Sequence, residues 1–229
     1  MSASKKLLQA SGKSAPLELT LEGTFFVSNT DYQTMTISGH QAGDILLLGQ
    51  LTYNNESAAA TPTGFTYLSP FFRNAADYSS GAPHTQRINY KILDGTESTF
   101  NAFASGDYKY SAIAYLLRPS KPVTAVSVEY NSSNYFDVAL DFTARNTPTI
   151  TGDYPAVVFG AASSYFNATD PAIQGSYWTA NNTDIPLSAA QYAFAIEIQD
   201  TATTRSVDTN GTCQYFKGLL MVGAITFST

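Results

Sequence analysis

From Leu17 onward, apolar and polar residues alternate in short runs cut by turn residues. Leu17, Leu19 and Leu21 alternate with Glu18, Thr20 and Glu22, the period of two expected of a half-buried strand. Ile88, Tyr90 and Ile92 fall on one face of their segment, with Arg87, Asn89 and Lys91 on the other. Tyr192, Phe194, Ile196 and Ile198 share a face in the same way. Two runs, 45–48 and 218–227, are apolar on both faces and predict central strands. Further strands are predicted around Met35, over 64–72, 98–100, 110–117, 123–130, 136–142 and 154–162. Pro70 interrupts the 64–72 segment, which suits a sheet edge or a bend. Asp94-Gly95 marks a tight turn, and 54–62, 73–83 and 163–186 read as connections. The pattern predicts roughly ten to twelve strands with regular turn signals, an antiparallel, jelly-roll-like β-sandwich of the all-β class.

Residues 1–13 are the one helical candidate, with Ser4 as N-cap and Gly12 as closing residue. So short a helix needs a partner surface. The segment reads either as a frayed tail or as a helical or extended anchor that docks Lys5, Lys6, Leu7 and Leu8 on a neighbouring subunit. The expected organisation is therefore an anchor and first strand over 1–24 and a single sandwich domain over 25–229. No composition break and no fixed-period repeat is visible along the chain.

Composition agrees with strands. The chain has 27 Thr, 15 Tyr and 14 Phe but only 6 Glu and 7 Lys, residues that favour helices. A net charge of −6 with scattered basic residues argues against a nucleic-acid partner, which needs clustered Lys and Arg. Cys213 stands alone, so an internal disulfide is impossible, and it reads as a small buried hydrophobe. No run is long enough for a helical membrane span, and Lys5-Lys6 is followed by too few apolar residues for a signal peptide. Synthesis as a soluble cytoplasmic product, with no membrane insertion, is the expectation.

Chemistry for catalysis is sparse. His40 and His84 sit apart among turn residues, with no metalloprotease or serine-hydrolase motif around them, and no metal or cofactor is expected. A glycosidase needs only two carboxylates across a cleft, and is the enzyme hardest to set aside. Asp137 and Asp141 share a strand face but would stand roughly 13 Å apart by strand rise, too far for that chemistry. The positive candidate is a sugar-stacking surface, where aromatic rings stand beside amides. Tyr165, Phe166, Tyr177 and Trp178, with Asn167, Asn181 and Asn182, supply it. Tyr53, Asn54 and Asn55 form a weaker second cluster. Against this stands the reading that Trp178 and part of the set are packed in the core or in a subunit interface.

Four segments in order, GDILLL at 43–48, TPTGFTYL at 61–68, INYKILDGTES at 88–98 and SAIAYLLRPSKPV at 111–123, carry a family likeness. The chain resembles a β-sandwich module of tailed-bacteriophage virion proteins, especially tail-fibre and receptor-binding proteins. TPTITGDYPAVVFGAAS at 147–163 and GLLMVGAITFS at 218–228 look like that module's later core strands. The opening SKKLLQASG is similar to the start of many phage structural proteins. Phe65 stands where the module usually has Trp, and Leu-Arg-Pro where it usually has Arg-Gly. The resemblance implies a non-enzymatic virion protein, a host-attachment module binding a surface glycan and other virion proteins. A capsid decoration protein is the alternative and a glycan-degrading tail enzyme the third reading. Sticky sheet edges add the expectation of a homo-oligomer, a trimer.

Overall fold

The computed structural model describes residues 15–28, 34–53, 61–68, 72–73, 84–103, 110–136, 145–150, 154–165, 173–174, 178, 190–209 and 218–229. The expected anchor (Lys5, Lys6, Leu7, Leu8) and Cys213 lie outside them. The described residues are all-β, with every pairing antiparallel and no helix. In chain order the strands are β1 Leu19–Ser28, β2 Thr34–Thr36, β3 Ile45–Tyr53, β4 Thr66–Tyr67, β5 Phe72–Arg73, β6 His84–Ile92, β7 Thr99–Asn101 and β8 Tyr110–Pro119, then β9 Ala125–Phe136, β10 Arg145–Asn146, β11 Ala156–Tyr165, β12 Ile173–Gln174, β13 Ala190–Gln199, β14 Ser206–Thr209 and β15 Gly218–Ser228. These exceed the ten to twelve expected because several have only two to four residues, too few to show a period. The two doubly apolar runs are interior strands as expected: β3 lies between β8 and β6, and β15 between β11 and β9.

One large sheet has the order β1-β8-β3-β6, with β4 and β5 on the outer edge of β6. The other has the order β9-β15-β11-β13. Small sheets β2-β7 and β10-β14-β12 complete the set. These orders contain a repeat of topology, which is a different thing from the fixed-period sequence repeat that the chain lacks. Strands β1, β2, β3, β6, β7 and β8 correspond one for one to β9, β10, β11, β13, β14 and β15, with the same pairings. The first strand of each half carries a bulge at its pairing with the last: Glu22 is the extra residue beside Leu117 and Leu116, and Asn131 beside Gly223 and Val222. The turn after β6 ties Lys91 to Glu97 at 3.0 Å, and the turn after β13 ties Glu197 to Arg205 at 2.6 Å, with the signs exchanged. What repeats is topology and facing pattern, not residue identity, so a search for sequence periodicity passes over it.

Packing follows the repeat. Ile45, Leu47, Leu51, Ile88, Ile113, Tyr115 and Leu117 from the first large sheet share one cluster with Val157, Phe159, Phe194, Ile196, Met221 and Ile225 from the second. The two large sheets thus bury one face each against the other. The opposite face of the first carries Leu46, Leu48, Ala112, Ala114 and Leu116 under Met35, Ile37 and Phe103. The opposite face of the second carries Val158, Ala193, Ala195, Leu220 and Val222 under Ile150 and Trp178. Strands buried on both faces read as near-continuous apolar runs, which is why 45–48 and 218–227 lost their alternation. Across the shared cluster, the buried Tyr115 hydroxyl donates to the main-chain oxygen of Phe194, and burial raises the pKa of that phenol.

Two of the segments quoted above meet in space. Asp44 of the Gly-Asp pair is buried and accepts from Arg118 of the Leu-Arg-Pro segment at 3.0 and 2.8 Å. Arg118 also donates to Glu22 at 2.7 Å and to the main-chain oxygen of Gly39 at 2.8 Å. A bidentate guanidinium pair fixes direction as well as distance. It locks β1, β8 and the turn entering β3 together, and donating to the Asp44 carboxylate raises the guanidinium pKa further.

Candidate functional site

Strand direction sorts the molecule into two ends. Pairings such as Leu19 with Pro119 and Ile45 with Ile92 mark one end of the first sheet. Ala125 with Ser228 and Ala156 with Gln199 mark the matching end of the second. These like ends lie side by side, because a cleft of about 440 Å³ is lined by Pro16, Leu17, Leu19 and Thr20 of the first and Tyr154 and Asp200 of the second. At the opposite end stand Ser28, Tyr53, His84 and Tyr110 of the first sheet and Phe136, Tyr165, Ala190 and Gly218 of the second.

Of the sugar-stacking candidates, Tyr165 is the last residue of β11 and belongs to that opposite end. Phe166, Asn167, Tyr177, Asn181 and Asn182 lie outside the described residues, as do Asn54 and Asn55; Phe166, Asn167, Asn54 and Asn55 follow directly on β11 and β3. Trp178 is placed. It is 8% exposed and packs among Ile150, Val158, Leu220 and Val222. The reason is visible in the sheet beneath it: Ala156, Ala162, Ala193, Ala195 and Ala224 pave that face with methyl groups, leaving depth for one large ring.

No group of three or more His, Cys, Asp or Glu side chains with metal-holding geometry occurs among the described residues. Burial raises the pKa of Tyr192, assisted by Tyr115, so both phenols stay protonated inside the shared cluster.

The turn at 94–97 is built from acids in structural roles. Asp94 accepts from the Thr96 hydroxyl at 2.6 Å and from its N–H at 2.8 Å, and Glu97 accepts from the N–H groups of Asp94 and Gly95. Gly95 has φ of 89°, and a Cβ there would stand 2.8 Å from the Ala42 nitrogen, so glycine is required. Thr96 holds the Asp94 carboxyl below its usual pKa. Burial pushes Glu97 up, but Lys91 and the main-chain donors outweigh it and leave a net lowering. Carboxyls whose pKa falls on folding stabilise the native turn at neutral pH, and that contribution is lost as pH drops through the folded values. We expect the Gly95 and Thr96 amides to lose hydrogen-exchange protection on acidification before the β3 amides do. Loss of both sets together would contradict this.

Sequence reasoning missed one further feature. A groove of about 250 Å³ is lined by Thr63, Lys91, Thr99, Phe100, Asn101 and Phe103. These residues come from three separate segments, and no motif links them; only the tertiary arrangement gathers them.

No family model, no curated protein and no solved structure matches the chain.

Proposed function

We propose that the chain is a non-enzymatic virion structural protein, a tail-fibre or host-attachment module of β-sandwich type that binds a surface glycan at the end where β3 and β11 finish. The strand orders support a jelly-roll-like reading of each half, with the two halves set back to back through their large sheets. The observation that carries the function is the grouping of strand ends. Tyr53, Tyr165 and Ala190, the strand residues next in sequence to the stretches that open with Asn54-Asn55 and Phe166-Asn167 and to the one that holds Tyr177, Asn181 and Asn182, stand at one end of both sheets. Loops presented together on a rigid β-scaffold are a common way to build a recognition surface. The Asp44–Arg118 device, assembled from two of the segments that carry the phage likeness, adds support.

A glycan-array screen of the full chain tests the reading. Tyr177→Ala and Asn181→Ala are expected to lower binding at least tenfold with an unchanged melting temperature. No binding to any arrayed glycan, together with hundreds of copies per particle, would overturn host attachment in favour of capsid decoration. The capsid alternative draws on a specific feature: β1 and β9 each pair on one side only among the described residues, leaving long edges for neighbouring subunits. Those edges also underlie the proposal of a homotrimer.

A further inference from the structure

The repeat exposes a difference between the halves. In the second half, β14 pairs on one side with β10 and on the other with β12, Gln174 standing opposite Asp208. In the first half, the corresponding strand β7 pairs with β2 alone among the described residues. The Ile37 N–H donates to the Ser98 oxygen at 3.0 Å, which fixes the alternation along β7. Phe100 therefore turns its main-chain groups toward β2, while Thr99 and Asn101 turn theirs outward. Asn101 is the counterpart of Asp208, and the groove described above lies along this outward edge, with Thr63 and Lys91 as its far wall.

The chain carries its own explanation for an edge that is unpaired among the described residues. Thr61-Pro62 stands as far beyond β3 as Ile173-Gln174 stands beyond β11. Pro62 has no N–H to donate to a ladder, and its oxygen is taken by the Phe65 N–H at 3.0 Å in a turn. The segment bends away, and β4 then pairs with β6 instead.

We propose that the outward edge of β7 is a strand-acceptor site, taking an uncharged extended segment of a neighbouring polypeptide in antiparallel register opposite Asn101, as β12 lies opposite Asp208. The fit is to main chain first, with a side chain facing Phe100 and Phe103. An uncharged segment is specified because Lys91, the one ionisable side chain lining the groove among the described residues, is already neutralised by Glu97 at 3.0 Å.

The test uses the full chain, isotope-labelled, titrated with the end-capped and so uncharged hexapeptide PAIQGS, which is residues 171–176 of this same sequence. Saturable amide shifts confined to Thr63 and 99–101 are expected. A peptide carrying Gln174→Pro should produce none, because the pairing N–H is gone. Asn101→Ala in the protein should leave the shifts within twofold of the original affinity, since the main chain does the binding. Absent shifts, shifts that survive the proline peptide, or shifts produced by free hexoses and lost in Asn101→Ala would each overturn the proposal, the last by making the groove a sugar site.

Discussion

Gly49→Val is expected to cost about 3 kcal/mol, the upper part of the range for overpacking a filled core, and to lower the denaturation midpoint accordingly. Gly49 lies in β3, and even a single Cβ there would stand 2.5 Å from Cδ1 of Phe194 and 2.6 Å from the Tyr192 hydroxyl. Both rings come from β13 in the facing sheet. Neither has room to retreat: Phe194 is fully buried, with Tyr115 at 5.3 Å, Phe159 at 6.2 Å and Tyr192 stacked at 6.4 Å between ring centres. The added branch must separate the two large sheets or distort β3. Equilibrium denaturation measures the cost directly. A variant within about 0.5 kcal/mol of the parent, the range of ordinary surface changes, would mean that the sheets do not meet at this point.

Trp178→Ala is expected to destabilise by about 3–5 kcal/mol, the usual cost of removing a large buried ring. Its cluster cannot readily close the space, because much of it is alanine (Ala156, Ala162, Ala193, Ala195 and Ala224), whose methyl groups have no length to extend. Thermal melting and glycan binding should be measured on the same preparation. A stability loss of this size, with any remaining folded protein binding normally, is the expected result. Loss of binding at an unchanged melting temperature would restore Trp178 to the sugar-stacking surface and contradict its packing on the outer face of the second large sheet.

The two substitutions show where periodicity is informative. The strand that holds Gly49 was predictable from four consecutive aliphatics, and its interior position from their facing both ways. That a glycine in it receives two rings from residues far along the chain was not predictable, since contact between sheets leaves no mark on local alternation. The burial of Trp178 was not predictable for a related reason. In sequence it sits in a polar stretch with tyrosine, asparagine and threonine on either side, the composition of a binding loop. The alanines that make room for it belong to β11, β13 and β15, and only folding brings that paved surface under the ring.

By itself, the sequence determined the secondary-structure class, the interior strands and the tight turn at Asp94-Gly95, because each depends on neighbours within a few residues. The tertiary structure decided the rest: two halves of one strand order joined through their large sheets, a tryptophan buried in packing, and an edge of β7 that is unpaired among the described residues where its counterpart is filled. Strand order, facing sheets and unpaired edges are set by contacts between residues distant in the chain, and the free energy of those contacts is written in shape and burial, not in local pattern.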